Sequence, residues 1–379
     1  MAATAHRLEQ DPAYAVRFRE GQRLSPFDEP AEFTIFARNE SHLRRILDGD
    51  WSTAALGFIR GEYRVAGDLI AAIRMKGTCG IHGVLPHLRT LVARMTSARI
   101  ESWFQTKARA AENIRFHYDL SNEFYKTFLD SRLIYTEGWF DRPEWTLEQA
   151  QEAKLNHICR DLRLEPGHKF LDIGCGWGAL ISHAAAQHGV HATGCTLSRR
   201  QYEYARALVQ SRGLQARVEV LEQDYRDLPG RFDRISSIGM FEHVGKRRLG
   251  EYFRRIHGML EPGGRFINSG ISRPQDVHDD PQTRFLLKRV FPGGELAHLS
   301  DLIREAEHAG FSILDLRNLR ADYARTCREW VANLKSNLDG CVALVGETIY
   351  RTWLLYLAAS ACSFEKGESE VFSIVMTRT

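Results

Sequence analysis

No stretch of this 379-residue chain reaches the roughly 18 consecutive uncharged apolar residues that a bilayer-spanning helix needs. Prolines number only 11, and no repeat or low-complexity tract occurs, which excludes collagen-like and disordered chains. The seven cysteines, Cys79, Cys159, Cys175, Cys195, Cys327, Cys341 and Cys362, are odd in number and contain no Cys-x-x-Cys pair. They read as reduced thiols, not as a disulfide frame. No His/Cys/carboxylate cluster has metal-ligand spacing, so no metal is expected, and no Ser-His-Asp arrangement is visible. The opening MAATAHRLEQDPAYAVRFRE is charged throughout and lacks the apolar core of a secretory leader, which points to the cytoplasm.

What is present suits a packed protein of one large and one small domain, with 44% hydrophobic and 26% charged residues. The net charge of +3 is unevenly spread: residues 1–110 carry 16 Lys/Arg against 12 Asp/Glu, and 74–109 carry seven basic residues against one acid. Such a run either docks on an anionic lipid surface or is the solvated face of an ordinary helix. Nucleic acid is not the expected partner.

The chain divides near residue 105. The first part, 1–105, reads as a small α+β domain: GEYRVAGD as a strand, SHLRRILDG and DLIAAIRM as short helices. Apolar positions 85, 88, 91, 92 and 95 share a helical face over about 85–107, which packs on the next domain or lies at an interface. After a polar and aromatic segment, 113–146, strands and helices alternate within the second domain, 106–379. KFLDIGCGWG, HATGCTL, ARVEVLEQD, FDRISSIGM and RFINSGIS read as strands. Helices lie between them, the first opening at Thr146 with Gln149 completing a capping box, and a later one stopping at EPGG. The pattern predicts an α/β, Rossmann-like doubly wound sheet.

In Asp172-Ile-Gly174-Cys175-Gly176-Trp-Gly178 the glycines follow a strand and open a helix. Such a turn brings backbone close to a nucleoside and aims N–H groups at an anion. The spacing is not GxGxxG, and the second strand ends in Gly194-Cys195-Thr196-Leu197-Ser198 without the acid that an NAD ribose takes. Instead Gln223-Asp224-Tyr225 closes the third strand, where a carboxylate and an aromatic ring suit an adenine. The set fits S-adenosylmethionine.

These motifs give a specific resemblance. His117-Tyr-Asp-Leu-Ser-Asn122, Tyr135-Thr-Glu-Gly-Trp-Phe140, LDIGCGWG, TLSRRQ, SIGMFEHVG, VFPGGEL, DYARTCREW and YLAAS run in order across about 113–379. The chain resembles the cyclopropane-fatty-acid synthase and mycolic-acid methyltransferase family, and its first hundred residues more loosely resemble the small N-terminal domain of longer members. The resemblance implies a class I methyltransferase sheet and a homodimer through the N-terminal domain. It also implies S-adenosylmethionine held by Tyr118, Tyr135, Thr136, Asp172, Gly174, Cys175, Gly176, Gly178, Thr196, Leu197, Ser198, Gln201, Asp224, Tyr225 and Arg226.

The implied chemistry is methyl transfer to a cis double bond, a weak nucleophile that must be held in line and kept dry. The resulting cation on the acyl chain suits aromatic faces such as Trp139, Tyr323 and Tyr135. A base then removes a proton, giving a cyclopropane or a methyl- or methylene-branched chain. In the family that base is a bound bicarbonate. Glu242 and Tyr323 stand where the family has its glutamate and tyrosine, and Ile271 supplies the backbone contact. Glu137 replaces a cysteine, Ser269 replaces a histidine, and Ser360 replaces a second cysteine. A carboxylate at 137 repels bicarbonate, so Glu137 reads as a built-in base; alternatively it points outward and caps a loop. The expected enzyme acts on an unsaturated phospholipid acyl chain, peripherally on the inner face of the membrane. Two rivals stand beside it: a methyltransferase of the same fold acting on a soluble small molecule, and a non-catalytic lipid- or cofactor-binding paralogue.

Overall fold

The computed structural model describes residues 14–18, 23–24, 31–37, 51–74, 120–274, 290 and 295–379. His117, Tyr118, the expected helices at 41–49 and 85–107, all of the basic run except Arg74, and most of VFPGGEL lie outside the described residues.

The N-terminal sheet holds β1 (Tyr14–Phe18), β2 (Arg23–Leu24), β3 (Phe33–Ala37) and β4 (Tyr63–Gly67) in the order β2-β1-β3-β4. Its β1–β3 pair is parallel and its other two pairs are antiparallel. Alternation in β3 buries Phe33, Ile35 and Ala37, and Phe33 and Ile35 form a small core with Ala54 of α1 (Trp51–Ile59) and Ala71 of α2 (Leu69–Arg74). Helix α1 was not anticipated. Its sequence WSTAALGFI is apolar almost all round, so no helical stripe stands out against a polar face.

A seven-stranded sheet makes the second body. Its strands are β5 (Lys169–Ile173), β6 (His191–Thr196), β7 (Val218–Glu222), β8 (Phe232–Ile238), β9 (Leu260–Ser272), β10 (Phe311–Asn318) and β11 (Glu370–Arg378). The order is β10-β11-β9-β8-β5-β6-β7. The five strands from β9 to β7 are parallel, and β11 is antiparallel to both its neighbours. After the short α3 (Asn122–Lys126) come α4 (Leu147–Asp161), α5 (Ala179–His188), α6 (Arg199–Ser211), α7 (Leu249–Met259) and α8 (Leu299–His308). The Thr146–Gln149 capping box opens α4.

The helix before EPGG stops as expected: α7 ends at Met259 and is capped at Leu260. Leu260 also begins β9, paired with Phe232, and EPGG lies within that strand, between this pair and the Arg234–Arg265 pair. Gly263, at φ +73°, lets the strand accommodate the register shift that follows.

The C-terminal α9 (Arg320–Ser336) and α10 (Leu338–Glu365), the latter broken at Gly346, pack with α1, α2 and α3 around one aromatic core. Polar contacts tie the small sheet unit to them: Arg74 pairs with Glu365, Arg328 lies 3.6 Å from Asp68, and Lys335 donates to the Gly67 carbonyl at 2.9 Å. This core is thus built largely by the last sixty residues.

Candidate active site

A cavity of about 210 Å³ opens at the carboxyl ends of β5, β6 and β7, where doubly wound sheets bind ligands. Tyr135, Thr136, Asp172, Gly174, Cys175, Gly176, Thr196, Leu197, Gln201, Asp224, Tyr225 and Arg226 all line it. Gly178 and Ser198 do not. Gly178 sits at the N-cap of α5 with φ +88°, and a Cβ there would come 2.9 Å from Ala205 Cβ, so this glycine lets α5 approach α6. Ser198 caps α6, accepting from the Gln201 N–H at 3.4 Å, and Gln201 in turn accepts from Thr196 Oγ1 at 2.8 Å. At Gly176, φ is +53° and a Cβ would meet nothing within 4 Å. The turn therefore faces open space, as a cradle for a ligand's anionic end requires. Asp172 is buried and accepts from Ser236 Oγ at 2.6 Å, and burial pushes its carboxyl up to about 6. Asp224 receives Arg226 Nε at 2.8 Å, beside the Tyr225 ring.

The segment 135–140 lines this cavity with Tyr135 and Thr136 and then leaves it, clamped from two sides. From α4, Gln151 Nε2 donates to the Thr136 carbonyl at 2.8 Å and Lys154 Nζ donates to Thr136 Oγ1 at 2.5 Å. From α9, Thr326 Oγ1 accepts the Gly138 N–H at 2.9 Å and Asp322 Oδ1 accepts the Phe140 N–H at 2.7 Å. This fixes Glu137 inward. It is 2% exposed and accepts from Ser269 Oγ at 3.1 Å. The outward, loop-capping orientation is overturned by that contact.

Glu242 reaches the same chamber from a 3₁₀ turn, Phe241–His243, that follows β8. It is 3% exposed; Oε1 accepts the Ile271 N–H at 2.7 Å, and Oε2 has no partner among the described residues. A Cβ at Gly270 would fall 2.7 Å from Glu242 Oε1 and 2.5 Å from Phe241 Cε1, so only glycine leaves room for this carboxyl. Burial, and then the Glu137 charge, push Glu242 up to about 7. Burial also raises Glu137, while Lys154 and the Ser269 hydroxyl draw it back. Tyr323, buried at the start of α9, stacks on Phe364 at 4.6 Å, and the charges of both glutamates reach its hydroxyl.

The five candidate catalytic residues, Glu137, Glu242, Ser269, Ile271 and Tyr323, do not line the cofactor cavity; they lie behind its wall. Thr136 next to Glu137, His243 next to Glu242, and Gly239, whose N–H donates to the Ser269 carbonyl at 2.8 Å, all face it. The buried carboxyls are thus separated from the cavity only by their own chain neighbours. Tyr135 lies among Trp330 at 5.1 Å and Trp353 at 5.9 Å, consistent with an aromatic lining. Trp139 belongs to the same buried core, but its ring contacts are with His157 at 4.6 Å and Arg317 at 5.5 Å.

A nucleoside-sized cavity beside a buried carboxylate pair fits a class I methyltransferase, and comparison with known proteins agrees. The family model described as mycolic acid cyclopropane synthetase matches residues 105–374. The chain belongs to the mycolic acid cyclopropane synthetase family. It is 36% identical over 353 residues to a "probable fatty acid methyltransferase" of Pseudomonas putida, covering 92% of this chain and 87% of that one. The structure of a cyclopropane synthase from Mycobacterium tuberculosis aligns with TM-score 0.69 at 30% identity, over 70% of this chain and 98% of that one. A mycolic acid cyclopropane synthase complexed with SAH and CTAB aligns with TM-score 0.68, also at 30% identity and over the same shares. This mycolic acid cyclopropane synthetase family member is an S-adenosylmethionine-dependent methyltransferase, and S-adenosylmethionine is its cofactor.

Within that family fold, three residues of this site escaped the sequence reading. Gln151 and Lys154 lie on the apolar stripe of α4, with Leu147, Ala150, Leu155 and Ile158, where a buried amide and ammonium are out of place. That misplacement was a readable signal. Gly270 carried none, because its role depends on a side chain from another strand end.

Proposed function

We propose that this enzyme methylates the cis double bond of an unsaturated fatty acyl chain carried by a phospholipid, with Glu137 as the base. When bound, S-adenosylmethionine supplies an electrophilic methyl group on its sulfonium. The Gly174–Gly176 turn would hold the anionic end of that cofactor, and Asp224 and Tyr225 its adenine. The aromatic wall around Tyr135, Trp330, Trp353 and Tyr323 excludes water and turns ring faces toward positive charge on the acyl chain. Glu137 accepts the Ser269 hydroxyl through Oε1 and, as a carboxylate, takes the proton from the acyl cation. The electron pair of the broken C–H bond then closes a cyclopropane or forms the alkene of a methylene-branched chain.

The observation that carries this reading is the inward, buried Glu137 bonded to Ser269. The residues do not fit a bound bicarbonate, because a second buried carboxylate stands in the space and repels an anion. The lipid side rests on the apolar aromatic wall and on relatives named for fatty acids and mycolic acids. Residues 1–105 form, in this reading, a docking and dimer-forming domain that attaches reversibly to the cytoplasmic face of the membrane. Each basic group near an anionic surface contributes about 1 kcal/mol, so the basic run suffices for that.

The test uses full-length protein, methyl-labelled S-adenosylmethionine and anionic vesicles of cis-unsaturated phospholipid, with and without bicarbonate. Label in the acyl chains, unchanged by bicarbonate, is the expected result. NMR of the product distinguishes ring from branch. Cofactor binding without acyl labelling would move the reading to a soluble substrate.

A further inference from the structure

Lys154 is the one lysine or arginine that is fully buried among the described residues, at 2% exposure. A buried ammonium is costly unless its charge is used. No carboxylate lies within ion-pair distance of it among the described contacts; its hydrogen bond goes to Thr136 Oγ1 at 2.5 Å. Three buried carboxyls nonetheless feel its charge: Glu137 from the 135–140 segment, Asp130 from the loop before it, and Asp172 from β5.

These three are not equally provided for. Asp130 accepts the N–H groups of Ile134 at 2.7 Å and Arg132 at 3.2 Å. Asp172 accepts the Ser236 hydroxyl at 2.6 Å. Glu137 has the longer Ser269 contact at 3.1 Å and its own backbone N–H, while Asp322 and Glu242 face it with like charge. Tyr323 faces it as a neutral phenol from α9. Of the three, Glu137 thus depends most on the ammonium, and Lys154 also grips the residue next to it.

We propose that Lys154 is the positioning residue of the Glu137 base: clamped on Thr136, its ammonium fixes the Thr136–Glu137 backbone and supplies the counter-charge that keeps Glu137 ionised in a dry chamber. This rests on the reading of Glu137 as base. A carboxylate whose cation is removed protonates more readily, so its proton-accepting form is lost at a higher pH. Lys154 thereby sets the lower pH limit of turnover.

The experiment follows turnover against pH for wild type, Lys154→Met and Glu137→Gln on the vesicle substrate. Lys154→Met is expected to move the acidic limb of kcat up by about one pH unit or more, a tenfold loss at neutral pH recovered at high pH. A uniform loss at every pH, or no change, overturns the role of Lys154 while leaving Glu137 as base, provided Glu137→Gln is inactive. Full activity in Glu137→Gln instead removes the base reading itself. A second measurement needs no Lys154 variant. In wild type with ¹³C-carboxyl glutamate, the resonance missing from Glu137→Gln is expected in its ionised position at pH 7.5, and a protonated position there overturns the proposal.

Discussion

The cofactor cavity and the carboxylate chamber lie side by side, yet they are built on different principles. The cavity is centred on the turns at the ends of adjacent parallel strands, with the 133–136 segment and residues of α4 and α7, Lys154 among them, completing its lining. The chamber is made of side chains brought together from distant segments. Ser269 meets Glu137 across 132 residues, and Thr326 holds Gly138 across 188. The cavity's glycine turn offers backbone N–H groups, so that part of the cavity depends on local conformation. The chamber depends on each carboxyl finding a donor in a distant segment. The pairing of Glu137 with Ser269 is such a case: the serine supplies a short hydroxyl donor to the inward carboxylate.

The comparison breaks most sharply at the base. Glu137→Gln is expected to lower kcat by about 10²–10⁴-fold while leaving S-adenosylhomocysteine affinity, read by calorimetry, nearly unchanged. Loss of cofactor binding in that variant would show that the two compartments are one. Gly270→Ala comes next. The added methyl displaces the Glu242 carboxyl or the Phe241 ring, for roughly 10²-fold in kcat and about 1–3 kcal/mol of stability in denaturant titrations. On the cofactor side, Gly178→Ala meets both a φ of +88° and Ala205. It should raise the KM for cofactor and cost about 1–3 kcal/mol, yet keep kcat at saturation within ~3-fold. An equal fall in kcat there would mean that the turn also shapes the chamber. The smallest effect is expected from Thr146→Ala, which removes the cap of α4 for about 1 kcal/mol in thermal unfolding with turnover intact.

Much of the fold was legible because it rests on local rules. The Asp172–Gly178 turn, the Thr146–Gln149 box and the alternation from Lys169 to Ser272 are each written in a short stretch, and each forms. Helix α1 was missed because an all-round apolar helix has no period to read. EPGG stops α7 as read, but it also lies inside β9, in the register shift between the Phe232–Leu260 and Arg234–Arg265 pairs, which its composition alone does not announce. Trp139 packs in the core that holds Tyr323 and Trp330, while Asp322 and Thr326 hold its segment with the indole also against Arg317 and His157, a placement its sequence does not announce.

By itself the sequence determined the class of sheet and the place of the glycine turn, because these depend on period and spacing; the two glutamates were singled out by the family resemblance. Only the tertiary structure decided which way Glu137 points, that Lys154 stands buried among three carboxyls, and that Gly270 makes room for Glu242. Those outcomes depend on distances between segments far apart in the chain, and burial there sets whether a charge is held or lost.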